Sequence, residues 1–342
     1  MAEFWQLKFP IPGQSETVAR AAEEAGFDGL YFADTQCLSG DIYSAMCLAA
    51  RATTRLKVGT AVTNPVTRHP AVTASAIATV QVESGGRAVL GIGRGDSSLA
   101  YLGQKPASWR TLENYVDQLQ RYLRGEAVDL DGYASRNMWI QKSGQPKVPV
   151  DVAATGPRVI SLGARLADRV TFAVGADVSR MRAALGAARS ARESAGLDPA
   201  GISLGAYINV GCHPDVGQAR EIVKGQVGSF AHFTGMSGEN SRGLQDAETF
   251  RHIGANYDMA NHGLAAGRHL QAVGDDFISR FAVTGSPSYC VDRLGELIEL
   301  GLDRLVLLTG SRDGDQVRIA AGVERLGSEV LPQLRQKVGP TS

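Results

Sequence analysis

The sequence predicts an α/β fold of the (β/α)8 TIM-barrel class, with a mostly helical insertion between strands 7 and 8. Eight short runs rich in Val, Ile, Leu and aromatic residues recur along the chain. Longer amphipathic segments separate them, which is the rhythm of a parallel sheet whose crossovers are helices. No G-x-G-x-x-G opens a helix, so the doubly wound alternative lacks its phosphate-binding turn. At 342 residues and 36.2 kDa the chain has a length that α/β barrels reach around one core, and a single domain covering residues 1–342 is expected.

The runs fall at residues 5–9, 27–33, 56–63, 87–92, 148–153, 169–174, 202–210 and 304–308. Helical patterning precedes all but the first, most clearly at 15–25, 71–83, 108–124, 179–195 and 287–300. Ala25-Gly26-Phe27-Asp28-Gly29 and Leu300-Gly301-Leu302-Asp303-Arg304 share one grammar, a helix end marked by glycine and followed by entry into a strand. Between the seventh and eighth runs lies far more chain than one crossover helix needs, an insertion at about 213–280. Loops after barrel strands lie at the catalytic face, so this insertion can form a lid or substrate wall; the other reading is a packing or dimerisation module. A shorter segment, 127–147, reads as a loop or hairpin.

Lys plus Arg equals Asp plus Glu at 35 each, so no net field recruits nucleic acid or an anionic membrane. A small molecule is the expected partner, with a homodimer as a further possibility. Cys37, Cys47, Cys212 and Cys290 are scattered, without the C-x-x-C spacing of a zinc or redox site, and read as reduced thiols. The first residues have no basic, apolar leader pattern, and no apolar stretch reaches the roughly 18 residues of a membrane span. The expected location is the cytoplasm.

Thr63-Asn64-Pro65-Val66-Thr67-Arg68-His69-Pro70 closes the third run. Pro65 and Pro70 remove two donors and fix φ, so the strand breaks near Thr63 and a helix can begin at Pro70. Leu90-Gly91-Ile92-Gly93-Arg94-Gly95-Asp96 closes the fourth, where glycines allow close backbone approach and Asp96 can hold a proton. Ala153-Ala154-Thr155-Gly156-Pro157-Arg158 follows the fifth with Pro157 placed to open a helix, an arrangement suited to an anion. On these segments the chain resembles the luciferase-like superfamily, especially its methylene-tetrahydromethanopterin reductase branch. The resemblance spans nearly the whole chain and is weakest over 211–267.

The resemblance implies a flavin or deazaflavin at the C-terminal mouth of the barrel. It implies that Ala61, Val62, Thr63 and Asn64, with a cis peptide between Ala61 and Val62, support the ring. Gly95, Ala154, Thr155, Gly156, Pro157, Arg158, Val174, Gly175, Ala176 and Arg280 are the further cofactor-binding residues it suggests, the backbone at 174–176 and the Arg280 guanidinium among them. Asp34, which closes the second run, matches an aspartate near the ring, and it joins Asp96 and His262 as catalytic candidates. Many relatives carry histidine directly after that aspartate, whereas this chain carries Thr35. Asp34 and Asp96 can also be read as caps and His262 as a structural histidine, and Arg280 as half of a surface ion pair. His262 and His269 have no third ligand at useful spacing, so no metal is expected. Gly201-Ile202-Ser203-Leu204-Gly205 matches the hydrolase pattern G-x-S-x-G, but Ser203 begins a strand and belongs to the opposite face.

The expected function is an oxidoreductase that uses reduced coenzyme F420 to transfer hydride to a small organic substrate bearing C=C, C=N or a similar bond. An FMN-dependent luciferase-like monooxygenase using oxygen is the alternative, and a flavin-binding protein without turnover is the third reading.

Overall fold

The computed structural model describes residues 2–236 and 245–337. Its strands are β1 (Glu3–Lys8), β2 (Gly29–Phe32), β3 (Lys57–Thr60), β4 (Ala88–Ile92), β5 (Val128–Leu130), β6 (Tyr133–Ser135), β7 (Val150–Ala154), β8 (Arg169–Phe172), β9 (Ser203–Cys212), β10 (Val283–Gly285) and β11 (Arg304–Leu308). Eight of these, β1, β2, β3, β4, β7, β8, β9 and β11, pair in parallel, and the β8–β9 ladder closes the ring. This is the expected barrel. β5 and β6 form an antiparallel hairpin within 127–147, and β10 adds a short parallel partner to Val210–Cys212, the far end of the long strand β9.

Alternation of side chains divides the strands' residues between two cores. Phe4, Leu30, Val58, Leu90, Val152 and Val170 face the helices, while Trp5, Tyr31, Val89, Tyr207 and Val306 fill the barrel. Trp5 and Tyr31 stack at 4.4 Å inside it. Their rings fit because the facing residues lack a side chain: a Cβ at Gly29 would stand 2.3 Å from the Trp5 ring, and one at Gly59 would stand 2.3 Å from that of Tyr31.

Near the strand starts the barrel holds a buried ion pair, Arg304 Nη2 to Asp151 Oδ2 at 3.1 Å, with Tyr31 and Thr171 hydroxyls donating to the same carboxylate. Ser203 Oγ accepts from Arg304 Nη1 at 3.0 Å, so this serine serves the closed end of the barrel and not a hydrolase elbow.

Several runs end differently from the sequence reading, β3 and β9 among them. β3 stops at Thr60, and the chain continues through the cis bond Ala61–Val62 to a single bridge between Thr63 and Ile92. β9 runs on to Cys212. The insertion is helical as expected, with helices Val216–Gly235, Ala247–Asn256 and Asp275–Phe281; its residues 237–244 lie outside the described ones. Among the described residues no helix is long and apolar enough to cross a membrane.

Candidate active site

Parallel strands open their C-terminal ends on one face, where the loops and the insertion enclose a cavity of about 680 Å³. Ala33, Ala61, Val62, Gly93, Ala153 and Ala173, at or just beyond strand ends, give it a floor of small side chains. Val62 is held there by the pinning of β3's end to β4: Thr60 Oγ1 donates to the Gly91 carbonyl at 2.6 Å, Thr63 N donates to the same oxygen at 3.0 Å, and Gly93 N donates to the Thr63 carbonyl at 2.9 Å.

At one side lies the start of helix Pro157–Leu166. Its N-cap is Gly156, which offers no side chain to the first N–H groups, and Thr155, Gly156, Pro157 and Arg158 all line the cavity. Open backbone donors at the positive end of a helix suit a phosphate. Another side is a wall from the insertion, where Gln226, Ser229, Phe230, Phe233, Met236 and His262 reach the cavity. The insertion thus forms one side of the cavity.

Against that wall sits an acid–imidazole cluster. Asp96 Oδ1 is 3.4 Å from His232 Nε2, and Asp96 Oδ2 is 4.0 Å from His262 Nδ1. The Tyr257 ring stacks on His232 at 3.7 Å and 11°, and its hydroxyl is 2.7 Å from His262 Nδ1. Burial holds the His262 imidazole at a pKa of about 4, down from 6.5; the attraction of Asp96 opposes this, and nearby His232, Arg312 and His269 reinforce it. His262 is thus neutral at neutral pH. Burial likewise pushes the Tyr257 hydroxyl up, so it acts as a neutral donor and acceptor.

Of the residues singled out from sequence, Asp34, Ala61, Val62, Gly95, Asp96, Thr155, Gly156, Pro157, Arg158 and His262 meet at the cavity. The structure does not bring the others to its lining. Thr63 and Asn64 are wholly buried behind it; Asn64 Oδ1 accepts from Val66 N and Thr67 N at 3.0 Å each, and so shapes the loop. Ala154 points to the helices because strand alternation gives the inward position to Ala153. Val174 and Ala176 pack in the outer core, and Gly175, at φ +79°, lies where a Cβ would stand 2.6 Å from the Phe281 ring. Arg280 turns instead to Asp246, Nη2 to Oδ1 at 2.6 Å, the ion-pair reading of this residue.

His232, Tyr257, Phe230 and Phe233 went unnoticed as site residues. Their signal was an aromatic-bearing insertion after a barrel strand, which marks a segment and not the members of a cluster. Arg68 lies within the Thr63–Pro70 motif, yet its pairing with Asp34 depends on two loops meeting.

Residues 12–304 match the family described as luciferase-like monooxygenase. The 5,10-methylenetetrahydromethanopterin reductase of Methanolobus tindarius is 28% identical over 325 residues, 92% of this chain and 94% of that protein. The F420-dependent glucose-6-phosphate dehydrogenase of Beutenbergia cavernae is 29% identical over 337 residues, 92% of this chain and 91% of that one. Among solved structures, the coenzyme F420 dependent tetrahydromethanopterin reductase from Methanopyrus kandleri superposes with a TM-score of 0.77 at 24% identity, covering 97% of this chain and 99% of that chain, which establishes the likeness of fold.

Proposed function

The chain belongs to the luciferase-like monooxygenase family, and within it we propose that this protein is an oxidoreductase that uses coenzyme F420 to move hydride to or from a small organic substrate. The observation that carries the cofactor is the likeness, over more than nine tenths of the chain, to relatives whose names specify F420 or a tetrahydromethanopterin reductase.

The residues present fit a deazaflavin. Small side chains at strand ends leave room for a flat ring, and a Cβ on Gly93 would stand 3.0 Å from Val62 Cγ2. The helix start at Gly156, the positive end of the helix dipole, suits the phosphate of the ribityl chain. Bound there, the deazaflavin supplies a carbon-centred hydride donor or acceptor. This chain's own tasks are to seat the ring on Ala61, Val62 and Gly93, to cover the substrate with Phe230 and Phe233, and to hold a proton at the Asp96 carboxylate or at His262.

The family name favours one rival, an FMN monooxygenase, because the same floor and helix start would receive FMN. Anaerobic turnover separates the two. Without oxygen, protein loaded with reduced F420 and mixed with aldehydes, ketones, imines or activated alkenes is expected to regain the absorbance of oxidised cofactor, or protein loaded with oxidised F420 and mixed with alcohols or amines to lose it, with one of these classes. Product formation that requires oxygen and FMN would replace this reading with the monooxygenase.

A further inference from the structure

Among the described residues, one histidine lines the cavity, His262, and it comes from the insertion. Resting on the reading of this cavity as a substrate site, we propose that Tyr257, Ser229 and the Gly225 carbonyl fix His262 as the tautomer with its proton on Nδ1, leaving a bare Nε2 to accept a hydrogen bond from a substrate hydroxyl or amine N–H.

The direction of the hydrogen bonds follows from their end. The Gly225 carbonyl can only accept, so the Ser229 hydroxyl, 3.3 Å away, donates to it. Ser229 Oγ then accepts from the Tyr257 hydroxyl at 3.1 Å. With its one proton committed to Ser229, the Tyr257 oxygen is an acceptor toward His262 Nδ1 at 2.7 Å, which must therefore be the protonated nitrogen.

A second observation agrees. Asp96 Oδ2, buried and without a hydrogen-bond partner among the described residues, lies 4.0 Å from that same Nδ1, so the carboxylate also favours a proton on it. Stacking of the Tyr257 ring on His232 keeps the hydroxyl in place. Nε2 has no protein partner among the described residues and is not enclosed; since His262 lines the cavity, this nitrogen is the one open to it. A lone pair at that point repels a carbonyl oxygen and welcomes a donor. The substrate class it fits is the alcohol or amine side of a redox couple. Tyr257 is a positioning residue in this arrangement, since it acts through His262.

The test needs no cofactor and no known substrate. Protein labelled with ¹⁵N at histidine is examined at pH 7 by two-bond proton–nitrogen correlation, with His262→Gln identifying the His262 signals among those of the 6 histidines. We expect His262 Nδ1 at a protonated position and Nε2 at a non-protonated one. Tyr257→Phe keeps the ring stacked on His232 but removes the acceptor, and should shift the Nε2 signal toward the protonated position as the second tautomer appears. Ser229→Ala, which leaves the tyrosine in place, should produce a smaller shift in the same direction. Wild-type protein carrying the proton on Nε2, or a Tyr257→Phe protein with an unchanged pattern, would overturn the proposal. Because the measurement is made without cofactor, a failure of the F420 reading would leave its outcome intact.

Discussion

Arg68 grips Asp34: Nη1 lies 2.5 Å from Oδ2 and Nη2 lies 3.4 Å from Oδ1, with the Asp34 side chain 3% exposed and that of Arg68 21% exposed. Arg68 in turn lies over the Tyr43 ring at 5.1 Å. A carboxylate held this way joins the loop after β2 to the loop after β3, directly beside the cavity floor.

Replacement of Asp34 by Asn should therefore cost stability before it costs chemistry. Leaving the largely buried guanidinium with only the more distant Asp41, 3.8 Å away, is expected to lower unfolding free energy by about 3 kcal/mol, the low end for a buried pair because Arg68 keeps that second carboxylate and some solvent contact. Chemical denaturation measures it. Unchanged stability with abolished turnover would return Asp34 to the role of proton donor.

Asp96 stands in a different relationship, facing His232 and His262 instead of a guanidinium. Asp96→Asn keeps the shape and removes the ability to hold a proton. Turnover is expected to fall by about 10²–10⁴-fold, while the dissociation constant of the cofactor changes little. Steady-state kinetics and a binding titration together decide it; equal losses in both would make Asp96 a positioning group.

His262 makes stability depend on pH. Its folded pKa of about 4 lies below the ordinary 6.5, so between these values the unfolded chain binds more protons than the folded one. The contribution is fully present above pH 6.5 and is lost as pH falls toward 4. In wild-type protein this adds a slope of up to about 1.4 kcal/mol per pH unit in that window. His262→Gln should remove that part of the slope, seen by urea denaturation across the window. A variant whose slope matches the wild type would show that His262 does not resist protonation in the fold.

Much of this site was legible where rigid local chemistry dictates position. Pro70 begins one helix, Pro157 opens another at Gly156, and the glycines around Asp96 admit only a turn. Legibility fails where one residue of phase or one distant contact decides. Ala153 faces the cavity and Ala154 the helices, a difference of a single step along β7. Arg280 is drawn to Asp246, 34 residues away, and the cluster of Asp96, His232, Tyr257 and His262 is assembled from a strand end and three parts of the insertion. No spacing in the chain announces such contacts, because tertiary packing alone brings those segments together.

The most direct measurement is a paired binding titration of the purified protein with F420 and with FMN under identical conditions. The account predicts that F420 binds with a dissociation constant of about 1 μM or tighter, equivalent to roughly 8 kcal/mol, and that FMN binds at least about tenfold more weakly, a difference of some 1.4 kcal/mol or more. Tighter binding of FMN than of F420 would contradict it.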